Sequence, residues 1–227
     1  MVDGYSAAQV RAAEAPHLAA GEPLMRRAAA ALARTLRRLL EESGRAPGPV
    51  VLLVGSGDNG GDALFAGAEL AAEGVEVAAI PMSERTHVDG AAAARAAGVR
   101  FVDRTATADT DAAFRSAAVL VDGILGTGTS ASPALRGAAR ELVATAIPVV
   151  RERGTTVVAV DLPSGIGPDD GAVPDPTVLP ATVTVTFGAV KAGLLLEPAA
   201  AFAGRVELID LGLGPELATM TPVVTIA

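Results

Sequence analysis

The stretch Val50-Val51-Leu52-Leu53-Val54-Gly55-Ser56-Gly57-Asp58-Asn59-Gly60-Gly61-Asp62 decides the fold. Five consecutive apolar residues read as a strand buried on both faces, the pattern of a parallel sheet covered by helices. A glycine-rich turn follows. Apolar positions then recur at helical spacing at Leu64, Ala68 and Ala71, so the unit reads strand, turn, helix.

The same alternation continues outward. Toward the C-terminus, Val75–Ile80 reads as a strand, Ala91–Ala97 as helix and Val99–Val102 as short and extended. Ala118–Val121 is a buried-strand run closed by Asp122. Arg136–Val150 reads as a helix that Pro148 should end or kink. Thr156–Val160 is a strand closed by Asp161, and Thr182–Phe187 and Val206–Leu211 are the last strands. Toward the N-terminus, the first forty residues read as helix, with Ser6 and Gln9 as a capping box. Over Glu22–Glu42 the apolar positions Leu24, Ala28, Leu32, Leu36 and Leu39 face inward, and most of the arginines take the wet side. Pro47-Gly48-Pro49 ends that segment, and residues 167–180, rich in Pro, Asp and Gly, are expected to be a surface loop. The fold class is therefore α/β, a three-layer Rossmann-like arrangement with a mostly parallel sheet and helices on both faces. Without a convincing linker, residues 1–227 are expected to form one domain.

Composition narrows the function. Eighteen Lys and Arg against 26 Asp and Glu give a net charge of −8, which argues against nucleic-acid binding. Cys is absent, which excludes disulfides and thiolate chemistry, and His17 and His87 cannot by themselves build a zinc site. Both histidines read as non-catalytic. No run approaches the ~20 apolar residues of a membrane span. The start, MVDGYSAAQV, shows no secretory signal, so the expected compartment is the cytoplasm.

Three segments bring unusual chemistry to strand ends: Gly55–Asp62, Asp122–Thr129 and Asp161-Leu162-Pro163-Ser164-Gly165. In an open parallel sheet, ligands bind at the carboxyl ends of strands beside a topological switch point. If the three strands are neighbours, these loops line one crevice. The Gly60-Gly61 turn opens a helix whose N–H groups can receive an anion, and Gly126-Thr127-Gly128 offers a second backbone nest. Two such sites suit a diphosphate-bearing nucleotide; the plainer reading is that the glycines only make tight turns. The literal G-x-G-x-x-G at 55–60 is weak support for a dehydrogenase, because the second strand ends Ala78-Ala79-Ile80-Pro81 with no acid for a ribose.

Asp122 and Asp161 would sit on adjacent strand ends with Asp58 or Asp62 nearby. Two carboxylates about 6 Å apart repel by roughly 3 kcal/mol at an effective dielectric of ~20. A bound cation, a raised pKa or both should relieve this, unless each Asp merely caps a turn. The Asp122 carboxylate, the Asn59 amide oxygen, the Ser164 hydroxyl and backbone carbonyls would make an oxygen-only site for a hard ion, and a single carboxylate suits a monovalent one. Asp161 is then a candidate acid/base. Lys191 is the only Lys and Asn59 the only Asn in a chain that otherwise uses Arg for positive charge. Arg cannot replace Lys in a tight site, so Lys191 is either part of the site or a surface lysine after a strand.

Gly55–Ala63, Val121–Gly128, Val160–Gly165 and Val185–Leu194, with the early Leu24-Met25-Arg26-Arg27-Ala28-Ala29, resemble in order the motifs of the NAD(P)H-hydrate epimerases, the YjeF N-terminal domain family. The resemblance implies a Rossmann-like enzyme, usually a homodimer, that interconverts the R and S forms of hydrated NADH and NADPH. An ADP- or ATP-dependent dehydratase, separate or fused, would act with it. It implies potassium held by Asn59, Asp122 and Ser164. It implies substrate contacts from Asp58, Asn59, Gly60, Gly61 and Asp62, from Gly126, Thr127, Gly128, Thr129, Ser130, Ala131 and Ser132, and from Asp161. Asp58 stands where the family usually has Asn, Ala63 where it has Gly, Gly123 where it has Ala, and Val190 where it has Pro. The epimerised carbon is bonded to the ring nitrogen, so its stereochemistry can be lost by expelling hydroxide to an iminium or by opening the ring, and either route needs a proton delivered and recovered. Asp161 is the expected acid/base and Lys191 an electrostatic assistant. The alternative is a catalytically silent nucleotide-binding or dimerisation module, against which the retention of Asn59, Asp122, Asp161 and Ser164 together speaks.

Overall fold

The computed structural model describes residues 1–42, 44, 48–128 and 132–226. Its elements run β1 (Val2–Tyr5), α1 (Ala7–Ala19), α2 (Leu24–Glu42), β2 (Val50–Val54), α3 (Asp58–Ala72), β3 (Val77–Pro81), α4 (Val88–Ala96), β4 (Arg100–Phe101), α5 (Thr107–Ser116), β5 (Val119–Gly123), α6 (Gly137–Arg153), β6 (Thr156–Val160), β7 (Val183–Phe187), β8 (Val190–Lys191), α7 (Ala200–Ala203), β9 (Arg205–Ile209), α8 (Gly214–Leu217) and β10 (Val224–Ile226).

Seven strands form the main sheet in the order β4-β3-β2-β5-β6-β7-β9, and the pairings between them are parallel. Burial on both faces explains the apolar runs. Val50, Leu52 and Val54 pack with α2 and α3, while Val51 and Leu53 pack with α5 and α6. Each such side chain contributes about 1.5–3 kcal/mol through burial. The chain wound both ways from β2 leaves a switch point between β2 and β5.

Several expectations need correction. The chain does not begin in helix: β1 pairs antiparallel with β10 and parallel with β8 in a second, three-stranded sheet. Four residues whose partners lie near 190 and 225 leave no periodic signal. The capping box at Ser6 and Gln9 is formed and starts α1. Pro148 does not end α6, which runs on to Arg153. Pro148 and Ala144 are exposed, so the carbonyl that loses its partner faces water. Residues 167–180 carry no helix or strand, yet Val178 and Leu179 are buried, Val178 packing against Leu162, Ile166 and Leu194. Helix α5 gave no sequence signal because it buries only Thr110, Ala113 and Phe114 of a polar segment. Pro47 lies outside the described residues.

Candidate active site at the switch point

Strands β2, β5 and β6 are neighbours and end level, with Leu53 opposite Asp122 and Asp122 opposite Ala159. The three loops therefore do meet. Their approach is close. A methyl group at position 55 would lie 1.8 Å from the Ile124 carbonyl oxygen, and one at position 60 would lie 2.1 Å from that of Gly55. Gly60 and Gly61 sit inside the first turn of α3 rather than in a turn before it, because the helix already begins at Asp58. Its N-cap, Gly57, offers no side chain, so the first N–H groups remain available to a ligand.

One cluster surrounds Asp122, which is 1% exposed. Ser164 donates to it twice, from Oγ to Oδ1 at 2.6 Å and from its amide to Oδ2 at 2.8 Å, and the Ile124 amide adds a contact at 3.3 Å. Burial raises the carboxyl pKa, and these three hydrogen bonds oppose that shift. Ser164 Oγ also accepts from the Leu125 amide at 2.8 Å. The Asn59 amide donates to the carbonyls of Leu125, at 3.1 Å, and Val160. Asn59, Asp122 and Ser164 are thus joined through one short stretch of backbone. The Asn59 amide nitrogen lies where two carbonyl oxygens converge, and among the described residues no cationic side chain offsets Asp122. Those are features of a cation site, with oxygen donors and one carboxylate. Among the described residues no group of three His, Cys, Asp or Glu could hold a metal ion.

A second cluster centres on Asp161, which has φ +68°. Asp tolerates this left-handed conformation better than most residues, at a cost of order 1–3 kcal/mol. Lys191 is not a surface lysine: it is 2% exposed and donates to Asp161 Oδ1 and, at 2.8 Å, to the Phe187 carbonyl. Thr186 Oγ1, at 3.1 Å, and the Phe187 amide, at 3.3 Å, also donate to Oδ1, which leaves Oδ2 available to a ligand. The expected repulsion between Asp122 and Asp161 does not act here: Asp122 responds to burial and to its own hydrogen bonds, not to the charge of Asp161. Lys191 offsets Asp161, while Asp122 is held by hydrogen bonds with a raised pKa.

Two cavities flank the loops. The inner one, about 570 Å³, is lined by Asp161, Lys191, Phe187, Asp62 and Glu14 among others. The outer one, about 580 Å³, is lined by Ser56, Gly57, Met82, Leu125, Gly126, Ser132 and Arg136 among others. Asp58, Asn59, Thr127 and Gly128 line both. Thr129, Ser130 and Ala131 lie outside the described residues. Asp62 is 6% exposed, and its buried Oδ1 has no hydrogen-bond partner among the described residues. Burial first, then the charges of Asp161, Asp58 and Glu14, push its carboxyl pKa well above the ordinary range, with Lys191 opposing.

The histidines do structural work. His87 caps α4 by accepting from the Gly90 amide at 3.1 Å, and His17 meets Glu22 at 2.9 Å and Glu216 at 3.4 Å. Sequence reading missed Thr186, Phe187 and Glu14. Thr186 and Phe187 could have been suspected from the polar residues of an otherwise buried strand. Glu14 carries only the weak signal of being the one acid in its helix.

The family model for the YjeF-related protein N-terminus matches residues 21–193. The chain is 57% identical over 230 residues to an NAD(P)H-hydrate epimerase of Clavibacter michiganensis subsp. michiganensis, covering 100% of this chain and 97% of that protein. It is 48% identical to one from Microbacterium testaceum, over 100% of this chain and 85% of the relative. It is 42% identical to the bifunctional NAD(P)H-hydrate repair enzyme Nnr of Mycobacterium tuberculosis, over 92% of this chain and 41% of that protein. The crystal structure of the yeast protein ynu0 superposes with a TM-score of 0.72 at 20% identity, over 85% of this chain and 83% of that one, which is a likeness of fold.

Proposed function

The chain belongs to the family of YjeF-related protein N-termini, and from that premise we propose that its inner cavity epimerises hydrated NADH and NADPH. The protein is an isomerase of cofactor repair that interconverts the R and S forms. The buried Asp161–Lys191 pair on the wall of a cavity of about 570 Å³ carries this reading, because that volume suits a ring-sized ligand and the pair offers a fixed carboxylate oxygen to it. Asp161 is the acid/base group on one face of the ring, and Lys191 holds its carboxylate in place. The hydroxyl-bearing carbon is bonded to the ring nitrogen. Protonation of the hydroxyl lets it leave as water while the nitrogen lone pair forms an iminium.

The dinucleotide would run from the inner to the outer cavity across the residues they share. Asp58, Asn59 and Asp62 would contact it from α3, with Gly60 and Gly61 packed behind them against the Gly55 carbonyl and His87, and Gly126, Thr127, Gly128 and Ser132 would contact it from the loop after β5. Asp58 adds a charge to that rim, which disfavours a phosphate beside it. Asn59, Asp122 and Ser164 would hold a potassium ion, which supplies positive charge at the strand ends when bound. The convergent carbonyls beside the Asn59 amide and the uncompensated Asp122 support that assignment.

Residues 1–227 are one functional unit in this reading, since β1 and β10 from the two ends pair and α1 lines the cavity. We also infer a homodimer, supported by the exposed apolar side chains of Val2, Leu208, Val223 and Ile226. The functional partner is an ADP- or ATP-dependent dehydratase, which the bifunctional Nnr relative suggests. Among the described residues no helix is long and apolar enough to cross a membrane, and we assign the protein to the cytoplasm. The test is R-to-S exchange followed by NMR on purified hydrated cofactor, with and without potassium. A hundredfold or greater loss in a folded Asp161→Asn variant is expected, and a wild-type rate rejects the assignment.

A further inference from the structure

Inversion makes a demand that Asp161 alone cannot meet. When the C–O bond breaks, the oxygen takes one proton and leaves as water, and the nitrogen lone pair forms the C=N bond. Water returning to the same face regenerates the starting form. Only water adding from the opposite face, and losing one proton to a base there, gives the other epimer. One proton is spent and one recovered, on different sides of the ring.

Helix α1, which belongs to neither sheet, supplies one wall of the inner cavity. Val10, Arg11, Glu14, Ala15 and Leu18 line the inner cavity, and their spacing marks one helical face. Glu14 is the only acid of that helix and is half-buried. The helix is tethered along its length. The Ala7 amide donates to the Asp169 carboxylate at 2.6 Å, Gln9 Nε2 to the Thr221 carbonyl at 2.7 Å and Arg11 to the Thr127 carbonyl at 3.3 Å. At the far end of the helix, His17 pairs with Glu22 at 2.9 Å and approaches Glu216 to 3.4 Å. Asp161 directly follows β6 of the seven-stranded sheet, Lys191 ends β8 of the three-stranded one, and both line the same cavity.

Resting on the activity proposed above, we propose that Glu14 is the proton-transfer group for the face of the ring opposite Asp161, so that inversion uses one carboxyl on each wall. The groups acting on Glu14 are Lys191, Asp161, Asp58 and, from its own helix, Arg11. Burial raises its carboxyl pKa, the two aspartates add to that, and Lys191 and Arg11 oppose it. A carboxyl so placed exchanges protons more readily near neutral pH than an exposed one.

The test uses pure R form in H₂¹⁸O with the full chain, following epimer ratio by NMR and label uptake by mass spectrometry. Glu14→Gln is expected to slow epimerisation by about 100-fold while label still enters the unconverted epimer from the Asp161 side. Glu14→Asp should restore much of the inversion. A merely structural role would lower inversion and label exchange in the same proportion, and that result overturns the proposal. So does a wild-type rate in Glu14→Gln, or wild-type inversion without label uptake. Failure of the wild-type protein to epimerise at all would instead reject the activity on which the proposal rests.

Discussion

Lys191 donates its ammonium proton to Asp161 across the ends of β8 and β6, and the two side chains are only 3% and 9% exposed. Removing one member of such a pair strands a buried charge, which costs about 3–5 kcal/mol. Lys191→Met should therefore lower the unfolding free energy by about that amount in urea titration. The double variant Lys191→Met with Asp161→Asn should recover most of the loss. Strictly additive losses would show that the two groups are not coupled.

Asp62 makes stability depend on pH in the sense opposite to a salt-bridged carboxylate. Its folded-state pKa is raised by burial and by Asp161, Asp58 and Glu14. The folded protein then holds a proton that the unfolded chain releases. This contribution is fully present below the ordinary Asp pKa of 3.8 and is lost as pH rises through the folded value. Asp62→Asn removes the titration. The variant should gain about 1–3 kcal/mol over the parent at pH 8 and lose that advantage toward pH 4. Parallel stability profiles for the two proteins would show that Asp62 is not the group responsible.

The sheet was legible because strands buried on both faces leave continuous apolar runs. Val50–Val54 and Thr156–Val160 were read at their observed limits. The short edge elements were not legible, because β1 and β8 exist only through partners far away in sequence. The grouping of Asn59, Asp122 and Ser164 followed from three strand ends falling side by side. Asp161 stood out, but its partner did not: Lys191 lies 30 residues on, and Thr186 looked like one more residue of an alternating strand. Glu14 was hidden because its role depends on how α1 docks over the cavity, and small side chains such as Ala15 leave no pattern that fixes that docking.

Ser164 provides a test of the cation reading that does not depend on activity. Its Oγ is the strongest side-chain partner of Asp122, at 2.6 Å. Ser164→Ala leaves Asp122 with amide donors alone, which should cost about 1–3 kcal/mol. On the proposed cation reading, potassium at 100 times its Kd would stabilise the parent by about 2.7 kcal/mol. Melting in KCl against choline chloride at equal ionic strength should show that gain for the parent and little of it for the variant. Equal gains in both would remove Ser164 from the site.

Gly126 and Gly128 lie two residues apart in the same loop but face different surroundings. A methyl group at 126 would fall 2.4 Å from Asn59 Oδ1 and 2.7 Å from its Cγ, whereas one at 128 would meet nothing within 4 Å among the described residues. Neither glycine has the positive φ that would strain alanine. Gly126→Ala must therefore turn the Asn59 side chain away from the Leu125 and Val160 carbonyls. Breaking those two bonds costs about 1–2 kcal/mol of stability. The larger effect is on function, because the amide that orders the strand ends is displaced. Epimerisation should fall by about 10- to 100-fold, the loss typical when supporting contacts of a site are removed. Gly128→Ala should retain parental stability, within about 0.5 kcal/mol. If Gly126→Ala keeps both its melting temperature and its rate, Asn59 has room to move without consequence, and its place in the site is wrong.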